Sequence, residues 1–131
     1  EKIIYDLKSK IASKEGDKLI NKAITIKNYS FLAEVIEDQD ANQLREMIDK
    51  LKNILKSAVI ILCSVTDNKI SFAVGVTDNL TKTIDAGEIA KVLGENVGGK
   101  GGGRKNMAMA GGTKTKQISE AMSLIQENLK K

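Results

Sequence analysis

The placement of glycine restricts the fold of this chain more than any other feature. Eight of its eleven glycines fall between Gly94 and Gly112, in GENVGGKGGGRKNMAMAGG. Glycine loses more conformational freedom on ordering than any other residue, so a folded chain that keeps such a segment needs a structural or binding return from it. Elsewhere only Gly16, Gly75 and Gly87 interrupt the chain, and proline is absent. The rest of the length is free to form regular elements.

That length is 131 residues, 41% of them apolar, which suits one domain with a genuine core. Aromatic side chains are only Tyr5, Tyr29, Phe31 and Phe72, so no ring platform for stacking unpaired bases is predicted. Histidine is absent and Cys63 is the single cysteine. His-dependent general bases, the usual zinc spacings and an internal disulfide are thereby excluded. Catalytic residues and metal ligands are accordingly expected to be none. No eighteen-residue apolar run and no charged-then-apolar leader occurs, so no membrane partner is predicted and a cytoplasmic setting is the default.

Apolar spacing divides the chain into helices and strands. Ile4, Leu7 and Ile11 share one face of a helix that Gly16 ends. No capping residue precedes it, so it reads either as the end of a longer helix, such as a coiled coil, or as a frayed terminal helix packed on its own domain. Residues 1–15 form a helical linker or oligomerisation helix in this reading, and residues 16–131 the globular part. The stretches 23–26 and 31–36 predict a hairpin turning at 27–30. Asp40 and Gln43 form a capping box ahead of a helix whose inner face carries Leu44, Met47, Ile48, Leu51, Ile54 and Leu55. The apolar run 58–63 predicts a strand covered on both faces, which makes Cys63 a buried small hydrophobe, and 70–76 forms the next strand.

Asp85 with Glu88 predicts a capped helix over 86–96, with Ile89, Val92 and Leu93 inward. Met107–Ala110 is strand-like between two glycine clusters, and a last helix over about 116–130 aligns Ile118, Ala121, Met122, Ile125 and Leu129. The predicted fold class is α/β, an α+β sandwich. It has a mixed sheet of about four to five strands with packed helices, preceded by the N-terminal helix.

Charge adds to the peculiarity of the glycine segment. Residues 1–65 carry 11 basic and 10 acidic groups, and residues 66–131 carry 10 and 7. No acidic residue occurs from Gly98 through Lys116, whereas Lys100, Arg104, Lys105, Lys114 and Lys116 do. Glycine backbones let N–H groups converge on an anion, and flanking cations attract it, so phosphate is the natural ligand. The candidate set is Lys100, Gly101, Gly102, Gly103, Arg104, Lys105, Asn106, Lys114 and Lys116. Gly99-Lys100 is followed by Gly101 rather than Ser or Thr, so this is not a P-loop, and nucleotide hydrolysis is not predicted. A purely structural reading stands beside this one. Gly98 and Gly99 would end the 86–96 helix, and Gly101 to Gly103 would let the chain pass close to a neighbour.

GGKGGGRKNMAMAGG, preceded by an apolar strand pair and followed by an amphipathic helix, resembles the signature of the DHH-associated C-terminal domain family. It is most similar to the branch that ends alanyl-tRNA synthetases. The resemblance covers about residues 18–131. It implies a non-catalytic module that binds the outer corner of tRNA(Ala) and helps couple aminoacylation to editing, in contact with other domains of the synthetase and with a homodimer through helices (Ile4, Leu7 and Ile11) as a further role. It implies ATP, Mg and Zn for the parent enzyme and no cofactor for these residues. The same family caps DHH-type phosphoesterases acting on short oligonucleotides or cyclic dinucleotides, where His normally follows the glycine triplet. Arg104 stands there in this chain and favours the synthetase branch. Lys105-Asn106 replaces that branch's usual Pro-Asp, so no role of the acidic side chain carries over.

Overall fold

A computed structural model describes residues 23–27, 29–36 and 39–130. The expected helix with Ile4, Leu7 and Ile11 lies outside the described residues. Six strands are present: β1 (Ile24–Ile26), β2 (Tyr29–Val35), β3 (Ala58–Thr66), β4 (Lys69–Val76), β5 (Lys100–Gly103) and β6 (Met107–Gly112). Three helices accompany them: α1 (Ala41–Leu55), α2 (Ala86–Asn96) and α3 (Ile118–Lys130). The strands form one mixed sheet in the order β1-β2-β3-β4-β6-β5. Only β2 and β3 pair in parallel, and α1 is the crossover between them.

Local chemistry explains most boundaries. Gln43 N–H donates to Asp40 Oδ1 at 2.8 Å and Asp40 N–H donates to Gln43 Oε1 at 2.8 Å, so the expected capping box starts α1. Asp85 caps α2 differently: its Oδ1 accepts from Gly87 N–H at 2.9 Å, without a reciprocal bond from Glu88. Asp67 and Asn68 both take positive φ, which closes the tight β3–β4 turn with the twist a hairpin needs.

The sheet separates two apolar layers. On one face, α2 and α3 cover Phe31, Val59, Ile61, Cys63, Phe72, Val74, Ala108 and Ala110. On the other, α1 covers Leu32, Ile60, Leu62 and Ala73 through Leu44, Ile48 and Leu51. Ile54, expected inward, is 54% exposed, because α1 rests on the sheet through the narrower stripe of those three residues. β6 lies at the margin of this layer, where Met107 and Met109 pack against it.

The strand count is six rather than four to five, and the difference lies mainly in the glycine segment. Lys100–Gly103 is a strand, not a loop, pairing antiparallel with β6 from Lys100↔Gly111 to Gly103↔Ala108. Three glycines weaken a strand on propensity. Here α2 lies so close over Gly101 that a larger residue does not fit there. A Cβ on Gly101 would sit 2.0 Å from the Ala90 carbonyl oxygen, one on Gly94 2.4 Å from the Lys100 carbonyl carbon, and one on Gly87 2.8 Å from the Gly103 carbonyl oxygen. The structural reading of these glycines holds for Gly98, which takes positive φ just after α2, and for Gly101 and Gly103, whose Cβ atoms would collide with Ala90 and Ala108. Glycine is what lets helix and strand meet backbone to backbone.

Candidate nucleic-acid interface

The hairpin of β5 and β6 carries most of the candidate residues, and its hydrogen bonding decides which groups face outward. Arg104 N–H donates to the Met107 carbonyl at 2.9 Å. In an antiparallel ladder such bonded pairs alternate, so Gly102 bonds to Met109 and Lys100 to Gly111 in the same register. The amides of Gly101 and Gly103 therefore point away from β6. Because β5 is the sheet's outer strand, they point to its open edge. The amides diverge along a strand; they do not converge in the nest expected for a loop, because β6 takes every second one.

The connecting turn is tightly held while two of its side chains are exposed. The Lys105 carbonyl accepts from Ala86 N–H at 2.9 Å, and the Asn106 carbonyl accepts from Val76 N–H at 3.0 Å and from Lys52 Nζ at 2.6 Å. Asn106 Nδ2 donates to Asp78 Oδ1 at 3.3 Å. Asn106 thus spends both its amide and its carbonyl on the fold and shapes the turn. Arg104 and Lys105 are exposed.

The nine candidate residues fall into three places, with Gly101 and Gly102 along β5 between the first two. Gly103, Arg104, Lys105 and Asn106 form the tip. Lys100 lies at the other end of the strand, about 13 Å from Arg104 at the usual rise per residue. Lys114 joins Lys100 there, its methylenes lying over Gly98, whose Cβ would meet them at 3.1–3.2 Å. Lys116 is apart from both. It lines a cleft of about 380 Å³ with Glu34, Val35, Ile118 and Met122, beside β2, three strand spacings or roughly 14 Å from β6.

Gly102 differs from its neighbours. A Cβ there would meet nothing within 4 Å, so nothing inside the domain requires glycine at that position. It is exposed, on the same sheet face as Met107 and Met109, which are half-buried where they pack at the margin of the α1 layer. Composition could not separate Gly102 from Gly101, since only the register tells which face each belongs to. Lys52 was likewise invisible as a partner of the tip. The nearest sequence signal was the lone Gly75 in β4, where a Cβ would sit 2.2 Å from Ile48 Cγ2 and 3.0 Å from Lys52 Cε.

No group of three or more His, Cys, Asp or Glu side chains gathers for a metal among the described residues. Cys63 is fully buried, and desolvation pushes its thiol up to about 12. It is neither a nucleophile nor a ready metal ligand at neutral pH. No helix among the described residues is long and apolar enough to cross a membrane.

An outer hairpin of glycine and cations beside α2 coincides with a known family pattern: the DHHA1 domain matches residues 28–131. The chain belongs to the DHHA1 domain family. The alanine–tRNA ligase of Methylobacillus flagellatus is 47% identical over 125 residues, which are 95% of this chain and 14% of that relative. This DHHA1 domain therefore spans about one-seventh of the length of the curated relatives it matches. The C-Ala domain from Aquifex aeolicus alanyl-tRNA synthetase superposes with a TM-score of 0.79 at 28% identity, covering 84% of this chain and 99% of that one. A pGpG-specific phosphodiesterase from Vibrio shares the fold alone, with a TM-score of 0.56 at 15% identity over 92% of this chain and 39% of that one.

Proposed function

We propose that this DHHA1 domain is the C-terminal, non-catalytic tRNA-binding module of an alanine–tRNA ligase, and that the β5–β6 hairpin grips the outer corner of tRNA(Ala). The observation that carries the reading is the open edge of β5. Two outward glycine amides lie between Lys100 at one end and Arg104 with Lys105 at the other. Backbone N–H groups and cations in one row suit the phosphates of a strand held at fixed shape, and they confer register with little reading of bases. Gly102 has open space where a Cβ would lie, so a flat neighbour can come close to the strand there. Lys114 adds charge at the base of the hairpin; Lys116, on a separate surface, contributes only long-range attraction.

Other domains of the same synthetase, working in the cytoplasm, would supply aminoacylation and editing, with this module helping one tRNA serve both. ATP, Mg and Zn belong to those domains. The residues present here do not fit a zinc site, since histidine is absent and the one cysteine is sealed in the core. Self-association through the face of Ile4, Leu7 and Ile11 belongs to the same reading. Sedimentation with and without residues 1–15 tests it, and an unchanged monomer removes that face from consideration.

The main test titrates tRNA and an unstructured RNA of equal length into the wild type and into Arg104→Ala/Lys105→Ala. The wild type should prefer tRNA, and the double variant should lose most of that preference. Removing Arg104 alone should cost about 1–3 kcal/mol where the guanidinium pairs with phosphate in two-point fashion. Equal binding of both RNAs by both proteins contradicts the proposal.

A further inference from the structure

The turn that presents Arg104 and Lys105 is held from four directions, and one of the four is unlike the others. The bonds from Ala86 N–H, Val76 N–H and the Asp78 carboxylate come from the sheet and from residues beside it. The fourth comes from α1, on the far side of the core layer. Lys52, in the last turn of that helix, reaches Asn106 across 54 residues of sequence, and its Nζ donates to the carbonyl at 2.6 Å. Its stem passes over Gly75, where any larger residue would collide with Ile48 and crowd the lysine. The Asn106 oxygen accepts from both Lys52 and Val76, which fills its two lone pairs.

The charge of Lys52 is directed inward as well. Burial lowers its pKa, while the carboxylates of Asp49 and Asp78 favour the ammonium form. Asp78 also accepts from Asn106 Nδ2. Ammonium, carboxylate and amide thus close a polar link from α1 through the turn to the loop before α2. A lysine so engaged, half-buried and with a donor spent on the Asn106 carbonyl, serves the fold although it counts as a cation in the sequence.

We infer that Lys52 is a positioning residue: it holds the 104–106 turn so that Arg104 and Lys105 face the RNA, and it makes no phosphate contact of its own. This rests on the tRNA-binding reading of the hairpin. It separates the role of charge from the role of geometry, and salt dependence measures that difference, because removing one cation from a phosphate lowers the log–log slope by about one.

The test compares wild type, Lys52→Met, Lys52→Arg and Arg104→Ala in the full chain. tRNA affinity is measured over a salt series, and amide hydrogen exchange is followed at residues 104–107. Lys52→Met should weaken binding about three- to tenfold with an unchanged slope and speed exchange at the turn. Lys52→Arg, which keeps a charged donor, should recover part of both. Arg104→Ala should lower the slope by about one and leave exchange at Lys105 and Asn106 near the wild-type rate. A slope for Lys52→Met that falls as it does for Arg104→Ala makes Lys52 a phosphate ligand and overturns the inference. Unaltered exchange at the turn overturns it too. If Lys52→Met does not fold, Lys52→Gln, which retains a shorter polar side chain, provides the same two readouts. If the wild type shows no preference for tRNA, the RNA reading fails by itself, and hydrogen exchange still decides whether Lys52 holds the turn.

Discussion

Adjacent glycines in this domain answer to different forces. Gly101 is glycine because Ala90 lies against it, so Gly101→Ala should destabilise the fold by about 2–3 kcal/mol through overpacking, read as a lower denaturant midpoint. Gly102 has open space, and Gly102→Ala should leave stability unchanged or raise it by up to about 1 kcal/mol by restricting the unfolded chain. The same variant should weaken tRNA binding if β5 lies against RNA at this open position; undiminished affinity would remove Gly102 from the interface. Burial at Cys63 has a measurable consequence at alkaline pH. Its thiol is raised from 9.0 to about 12, so between those values the unfolded chain loses a proton that the folded one keeps. Stability present below pH 9 is therefore lost as pH rises through that window. Tyr29, also raised by burial, acts in the same direction, and Lys52, lowered by burial, acts against both. The midpoint should fall between pH 8 and about 10.5, and fall less in Cys63→Ala.

Among the elements, α1 and β5 depend on different things. α1 is determined locally: Asp40 and Gln43 satisfy its first amides and three residues form its buried stripe. Asp40→Ala should cost about 1 kcal/mol, seen as a lower melting temperature with the fold intact. β5 has almost no local signal, since three of its four residues are glycine. It is a strand because β6 offers a ladder on one side and α2 presses a face of Gly87, Ala90 and Gly94 onto it. Gly94→Val, which leaves the hairpin sequence untouched, should therefore expose β5 amides to hydrogen exchange and weaken tRNA binding along with stability. Normal exchange in β5 of that variant would show that α2 is dispensable for the strand.

The molecule as a whole carries a formal charge of +4, and the hairpin with its flanks concentrates cations without an intervening carboxylate from residue 98 to residue 116. Binding through about three to five phosphates gives a log–log salt slope of very roughly −2 to −5. A slope near zero would mean that the contact is not electrostatic and that the hairpin is not its centre. The fold also limits what the surface can recognise. With α2 against one face of β5 and Gly102 open on the other, the hairpin forms the outer edge of the sheet. Such an edge can lie along a backbone of fixed shape but cannot enclose a small substrate.

Among the described residues the helix spans, the α1 cap, the apolar strand pair, the buried cysteine and the sign of the charge were legible in the sequence, because each depends on neighbours within a turn or two of chain. The α1 capping box and the bounds of α2 are the clearest cases. Three features needed the assembled sheet: the glycine segment as a strand, the separation of Lys116 from the hairpin, and the grip of Lys52 on Asn106. Each depends on which distant elements become neighbours and in what register. A shift of one residue would reverse every outward and inward group on β5, so no local pattern could have assigned them.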